Sequence, residues 1–328
     1  MLRTTLPRLA QVQKPVHDLL DEVVAEMRRI VMSDFPGIQE VNDYLLMARG
    51  KLFRPTLLLL SSRLGGQARA EATTAAALVE LLHLATLVHD DSVDHSVLRR
   101  GMPTVNALWN HQTAVIVGDY LYSRAVVELA AIGRIELLEV LARAANEMSV
   151  GELRQLSSCD ALDFGETDYE RLIAAKTASL MSAACEMGAL LGDAAHRAPL
   201  KAYGFALGMA FQVADDLLDY TGSEAVTGKR VGQDLREHKV TLPLVAAMRS
   251  MGGAERREVE RFFADPEPTD EGIARIIESV RAHGGLDYAR ARAEEYGERA
   301  AEALEPLPAG DVKESLGLAI AYVIGRRR

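Results

Sequence analysis

The sequence predicts an all-α fold, a single domain over residues 1–328 packed as a bundle of roughly ten or more helices around its site. Three observations carry this reading. Apolar residues recur at helical spacing along nearly the whole chain. Apolar residues make up 48% and are dominated by Ala and Leu, while aromatic residues are only 5%, a balance that favours helices over sheets. No run alternates apolar and polar residues long enough for a sheet, and no Ser/Gly/Pro-rich linker divides the chain.

The elements follow in order. Residues 15–31 place Asp18, Asp21, Glu22 and Glu26 between apolar positions at helical spacing. Residues 55–64 open with Pro55, which suits a first helical turn. Residues 71–97 read as one long helix that Gly101, Met102 and Pro103 then break. Further helices are expected over 105–129, 135–157, 168–191 and 200–220. A polar, glycine-containing stretch covers 221–238, and 243–251, 254–263, 270–284, 289–304 and 312–328 complete the set. The breaks at Gly252-Gly253 and Pro266-Glu267-Pro268 read as inter-helix turns.

Composition narrows the function. A net charge of −10 repels nucleic acid, and phosphorylated ligands too unless metal ions or clustered Arg and Lys reverse the field locally. Cys159 and Cys185 have neither metal nor redox spacing. The first twenty residues lack a signal-peptide core. No window is expected to span a membrane, the longest candidate, 177–191, being interrupted by Glu186. These features predict a cytoplasmic protein.

Two aspartate clusters carry the chemistry. Asp90-Asp91-Ser92-Val93-Asp94 and Asp215-Asp216-Leu217-Leu218-Asp219 both read DDxxD in apolar, helix-patterned surroundings. Positions i and i+4 share a helix face, so Asp90 and Asp94 stand side by side, as do Asp215 and Asp219. Like charges so placed repel, and apolar neighbours such as Leu84, Leu87, Val88, Phe211 and Val213 raise the cost of leaving them uncompensated. Hard oxygen donors suit Mg²⁺. A single such cluster would as readily be a solvated acidic face, but a pair suggests two helices gripping metal ions between them. Lys51 and Arg54, three apart, and Arg99 with Arg100 supply cations, and the guanidinium fork matches phosphate oxygens.

In this order, with Gly118-Asp119, Gly151-Glu152, Lys176-Thr177, Phe211-Gln212 and 228–239, these motifs resemble the all-trans isoprenyl diphosphate synthases (the polyprenyl synthetase family) from about Gly50 to Leu244. The resemblance implies an isoprenoid-synthase-type bundle with a central cavity and a Mg²⁺ cluster, usually of three ions. It implies that Asp90, Asp91, Asp94, Asp215 and Asp219 hold that cluster, with Asp216 acting through water. By the same resemblance Lys51, Arg54, His83 and Arg100 bind isopentenyl diphosphate. Arg99, Lys176 and Lys239 clamp the allylic diphosphate, geranyl or farnesyl, while Lys229 and Arg230 both fit one further basic position. Thr177 and Gln212 match residues beside the reacting carbons. Family members are usually homodimers.

Product length is expected to depend on the helix face preceding Asp90. In the family, bulky aromatics just upstream of the first cluster stop growth early; here those positions are Ala85 and Thr86. Leu82 and Leu78 lie deeper on the same face, and Leu82, or Leu141 from another helix, would form a floor. The resemblance is to the heptaprenyl-to-decaprenyl branch, which implies a product of about C35–C50, with at most transient membrane contact for its release. The alternatives are a short-chain farnesyl or geranylgeranyl synthase, a class I terpene cyclase and a non-catalytic partner subunit. Intact aspartate clusters argue against the last two.

Overall fold

The computed structural model describes residues 7–47, 50–66, 70–99, 101–157, 163–222 and 231–325. Arg100, Lys229, Arg230 and Cys159 lie outside these. Seventeen α-helices are assigned among the described residues: α1 Leu9–Gln13, α2 His17–Ile30, α3 Pro36–Met47, α4 Phe53–Arg63, α5 Glu71–Val93, α6 Val105–Leu108, α7 His111–Ile132, α8 Ile135–Ser157, α9 Glu166–Ile173, α10 Ser179–Leu191, α11 Arg197–Thr221, α12 Gln233–Arg236, α13 Leu242–Met248, α14 Gly253–Ala264, α15 Asp270–Ala282, α16 Gly285–Leu304 and α17 Asp311–Ile324. Strands β1 Leu98–Arg99 and β2 Met102–Pro103 form a small antiparallel hairpin.

Burial explains the patterning. Every residue of α10 is buried, and its apolar character on all sides suits a helix packed by α4, α5, α8 and α11. Its one acidic residue, Glu186, is buried but meets Arg197 at 2.7 Å and Lys201 at 3.1 Å. That pairing explains how the interruption at Glu186 lies inside a core helix. Among the described residues, α5 is long and apolar enough to cross a membrane by length and composition, which departs from the reading above. Its packing against α2, α4, α7 and α10 accounts for that character. A second apolar cluster, around Tyr220, Leu244, Ile276 and Val280, carries α13 and α15 at the far end of α11.

Several boundaries differ from the sequence reading. No element was expected between residues 31 and 55, yet α3 fills much of that interval, and Tyr44 from it donates to the Pro103 carbonyl at 2.6 Å. The helix expected over 71–97 stops at Val93, because His95 adopts a left-handed backbone (φ 51°) and Ser96 N–H closes onto the Asp91 carbonyl. The helix expected over 105–129 is two, with the Asn110 side chain capping α7 by accepting from Thr113 N–H at 2.7 Å. Residues Ala174–Ala178 form one π-helical turn between α9 and α10. Gly208 of α11 crosses that turn so closely that a Cβ there would lie 2.5 Å from the Ala178 Cα.

Candidate active site

The two aspartate clusters end α5 and α11, and the π-helical turn with α8 faces them. Such turns widen a helix by one residue and recur at functional sites; this one carries Lys176 and Thr177. Lys176 Nζ lies 2.5 Å from Glu152 of α8, 3.5 Å from Asp90 of α5 and 3.2 Å from Gln155 Oε1. Lys239, just beyond α12, stands 3.4 Å from Asp94 and 2.7 Å from Glu237. Two lysines distant in sequence thus reach the two α5 carboxylates that share one face.

Six aspartates occupy different environments. Asp91 is buried and accepts from Arg99 Nε at 2.8 Å through both oxygens, which ties the β-hairpin to α5. Asp216 is buried, accepting from Tyr169 Oη at 2.5 Å and from Gln212 Nε2 at 2.7 Å. Asp219 accepts the backbone N–H groups of Gln233 and Asp234, both at 3.0 Å, and so caps α12 and fixes the segment that delivers Lys239. Asp215 is exposed, while Asp90 and Asp94 are half-buried.

Thr177 Oγ1 donates to Gln212 Oε1 at 2.7 Å, so a chain of hydrogen bonds runs Thr177–Gln212–Asp216–Tyr169. The crossing at Gly208 makes this contact, because Gln212 lies one turn further along α11. Tyr169, Glu152 and Gln155 were not among the residues predicted for the site. Tyr169 lies seven residues, two helical turns, before Lys176, a spacing that places both on one side of a regular helix.

The basic motif at residues 50–55 is held from three sides. Phe53 stacks on Phe211 of α11 at 5.9 Å and tilts against Tyr322 of α17, also at 5.9 Å. Gln13 donates to the Lys51 carbonyl at 3.0 Å, and Leu52 adopts a left-handed backbone (φ 50°). A cavity of about 50 Å³ lined by Gly50, Leu52, Glu80, His83 and Leu87 brings His83 beside this motif. His89 is oriented from α7. Its Nε2 lies 3.1 Å from the Val115 carbonyl and 3.4 Å from Asp119, and a Cβ on Gly118 would meet it at 2.2 Å. Ala85 and Leu82 are buried along α5, as is Leu141 on α8, while Thr86 is half-buried with its hydroxyl on the His83 carbonyl.

Electrostatics follow burial. Desolvation raises the Asp90 carboxyl to about 6 despite Lys176, with Glu152 and Asp94 adding to the rise. Burial opposes the charge on Lys239, but Glu237 and Asp94 outweigh it and hold its pKa above the usual lysine value. Asp234 is pushed well up by burial and then by Asp216 and Asp219. Burial lifts Asp216 to about 7, although Tyr169 and Gln212 pull it down. Asp216 keeps a proton in the folded state that the unfolded chain loses above its usual 3.8. Stability should therefore fall as pH rises from about 4 to about 7. Thermal unfolding of metal-free protein across that window should show this fall, and Asp216→Asn should lessen it without abolishing it, because Asp90 and Asp234 are raised in the same direction.

The donor set fits Mg²⁺. It consists of carboxylates, and Mg²⁺ is usually held by one or two of these, retained waters and substrate phosphates rather than by a closed protein cage. Among the described residues no three carboxylate, imidazole or thiol groups converge closely enough to hold an ion alone. Asp90, Asp94 and Asp215 are the carboxylates whose placement suits ligation shared with a substrate.

Residues 36–280 match the family model described as Polyprenyl synthetase. The chain is 35% identical to an octaprenyl diphosphate synthase of Haemophilus influenzae over 325 residues, covering 98% of each chain. Among solved structures it is similar to a decaprenyl diphosphate synthase from Rhodobacter capsulatus (37% identity, 98% of this chain and 100% of that one, TM-score 0.92). It is equally similar in fold to a polyprenyl synthase from Caulobacter crescentus complexed with calcium and isoprenyl diphosphate (36% identity, 98% and 100% covered, TM-score 0.92).

Proposed function

Because this chain belongs to the polyprenyl synthetase family and is a polyprenyl diphosphate synthase, a prenyltransferase, we propose that it joins isopentenyl diphosphate to a geranyl or farnesyl diphosphate primer. The product is an all-trans chain of about C35–C50. The observation that carries this reading is the charge cluster in which Lys176 reaches Asp90 and Lys239 reaches Asp94, with Asp215 exposed on α11. Mg²⁺, in a cluster of about three ions, would neutralise the leaving diphosphate. Asp90, Asp94 and Asp215 would hold it.

The chain's own residues do the rest. Lys176, Lys239 and Arg99 hold and orient the allylic diphosphate as its C–O bond ionises. Lys51, Arg54 and His83 hold isopentenyl diphosphate so that its double bond meets the allylic cation. The Gln212 carbonyl oxygen already takes the Thr177 hydroxyl hydrogen, which leaves the hydroxyl lone pairs to face developing positive charge. Apolar walls exclude water that would quench the cation, and the released diphosphate takes the proton. Incubation with a primer and labelled isopentenyl diphosphate should give label in a butanol-extractable lipid, and excess chelator should abolish it. Unchanged incorporation after chelation would refute the metal-assisted reading.

We also place the enzyme in the cytoplasm as a homodimer, its product leaving through transient membrane contact. Val115, Ile116, Tyr122, Val126 and Val127 leave an exposed apolar stripe along α7, which a second copy would cover. Light scattering should give twice the chain mass for the native protein, and Val126→Glu should lower it toward one chain. A native mass of one chain would refute the dimer.

A further inference from the structure

We propose that His95 and His111 form a second cation site, taking a borderline divalent transition ion such as Zn²⁺, Ni²⁺ or Cu²⁺. His95 Nδ1 stands 3.3 Å from His111 Nε2, with the rings 4.8 Å apart at 77°. Two nitrogens bound at 2.0–2.1 Å to one tetrahedral ion lie about 3.3 Å from each other. The pair therefore already has the separation that one shared ion requires.

The far side of His111 agrees with this. Its Nδ1 lies 3.0 Å from Ser92 Oγ, a hydroxyl oxygen able to accept the ring N–H when the other nitrogen is free to ligate. With the proton on Nδ1, the Nε2 lone pair points toward His95. Both rings are exposed and open to an ion from solvent.

His95 is also an unusual residue for its position. It follows the end of α5 with φ at 51°, and Ser96 N–H closes onto the Asp91 carbonyl at 2.9 Å, a turn that glycine ordinarily makes. The histidine side chain occupies a backbone position that favours its absence, and such positions concentrate at sites of function. Among the described residues no third His, Cys, Asp or Glu converges on the pair. Water would fill the other positions, so the ion is exchangeable and removable by chelators. Imidazole selects Zn²⁺, Cu²⁺ and Ni²⁺, whereas carboxylates suit Mg²⁺, so the two sites sort ions by ligand type.

Trp109, the only tryptophan in the chain, lies two residues before His111. Titrating metal-free, full-length protein with CuCl₂ should quench its fluorescence saturably, and millimolar Mg²⁺ should not shift the midpoint. His111→Ala should raise that midpoint by about tenfold or more. His95→Gly should do the same while keeping or raising the unfolding temperature, because glycine suits the left-handed turn, so its loss of binding is not loss of fold. Quenching that never saturates, that Mg²⁺ displaces, or that survives both substitutions overturns the site.

Discussion

Asp215→Asn is expected to lower kcat by on the order of 10²–10³ while leaving the unfolding temperature nearly unchanged. The magnitude is that of removing one preorganised electrostatic contact to developing charge. Stability should hold because Asp215 is exposed, so a neutral side chain of the same shape disturbs no buried packing. Asp216→Asn is the informative partner. Its carboxyl is buried against Tyr169 and Gln212, and burial already favours a proton there. An amide in its place preserves shape at a buried position that is not among the carboxylates proposed to hold the metal, so the loss of kcat should be much the smaller of the two. Steady-state kinetics on both variants decide the matter. Equal losses would mean that the two aspartates share one role, against the division drawn from their environments.

Ala85→Phe is expected to shift the main product from about C35–C50 to C15 or C20. Ala85 precedes Asp90 by five residues, about 7.5 Å along the helix axis. Leu82 and Leu78 lie about 12 and 18 Å from it by the same rise. A ring at 85 would obstruct a chain growing along that face before it reached the leucines. Ala85 is buried, so the added volume should also cost about 1–3 kcal/mol. Thr86→Phe is the gentler variant, since Thr86 is only half-buried. Product sizing by reversed-phase chromatography reads both. An unchanged product spectrum from both folded variants would remove this face of α5 from the account of chain length.

The fold class and the centre of the site were legible because each depends on local spacing. One cluster of carboxylates four apart reads as readily as a solvated face, but two in apolar helices point to a shared site, whereas the roles given to Lys51 and Arg54 came from the family resemblance and not from spacing. The Thr177–Gln212–Asp216–Tyr169 chain was not legible. It exists because one π-helical turn shifts Lys176 and Thr177 and because α11 crosses that turn at Gly208, neither of which leaves a periodic trace. The different duties of the six aspartates were equally hidden. Asp219 caps a helix whose first residues lie fourteen positions away, and Asp91 answers an arginine on a hairpin that periodicity misses. Helix α3 was not expected, although it opens with Pro36, a residue that belongs comfortably in a first helical turn.

The most direct test of the central claim is product sizing after incubating purified protein with Mg²⁺, labelled isopentenyl diphosphate and farnesyl diphosphate. A ladder of all-trans products ending between C35 and C50 is the predicted result. A stop at C15 or C20, with geranyl diphosphate also tried, would contradict the long-chain assignment, and no elongation by folded protein would contradict the proposed reaction itself.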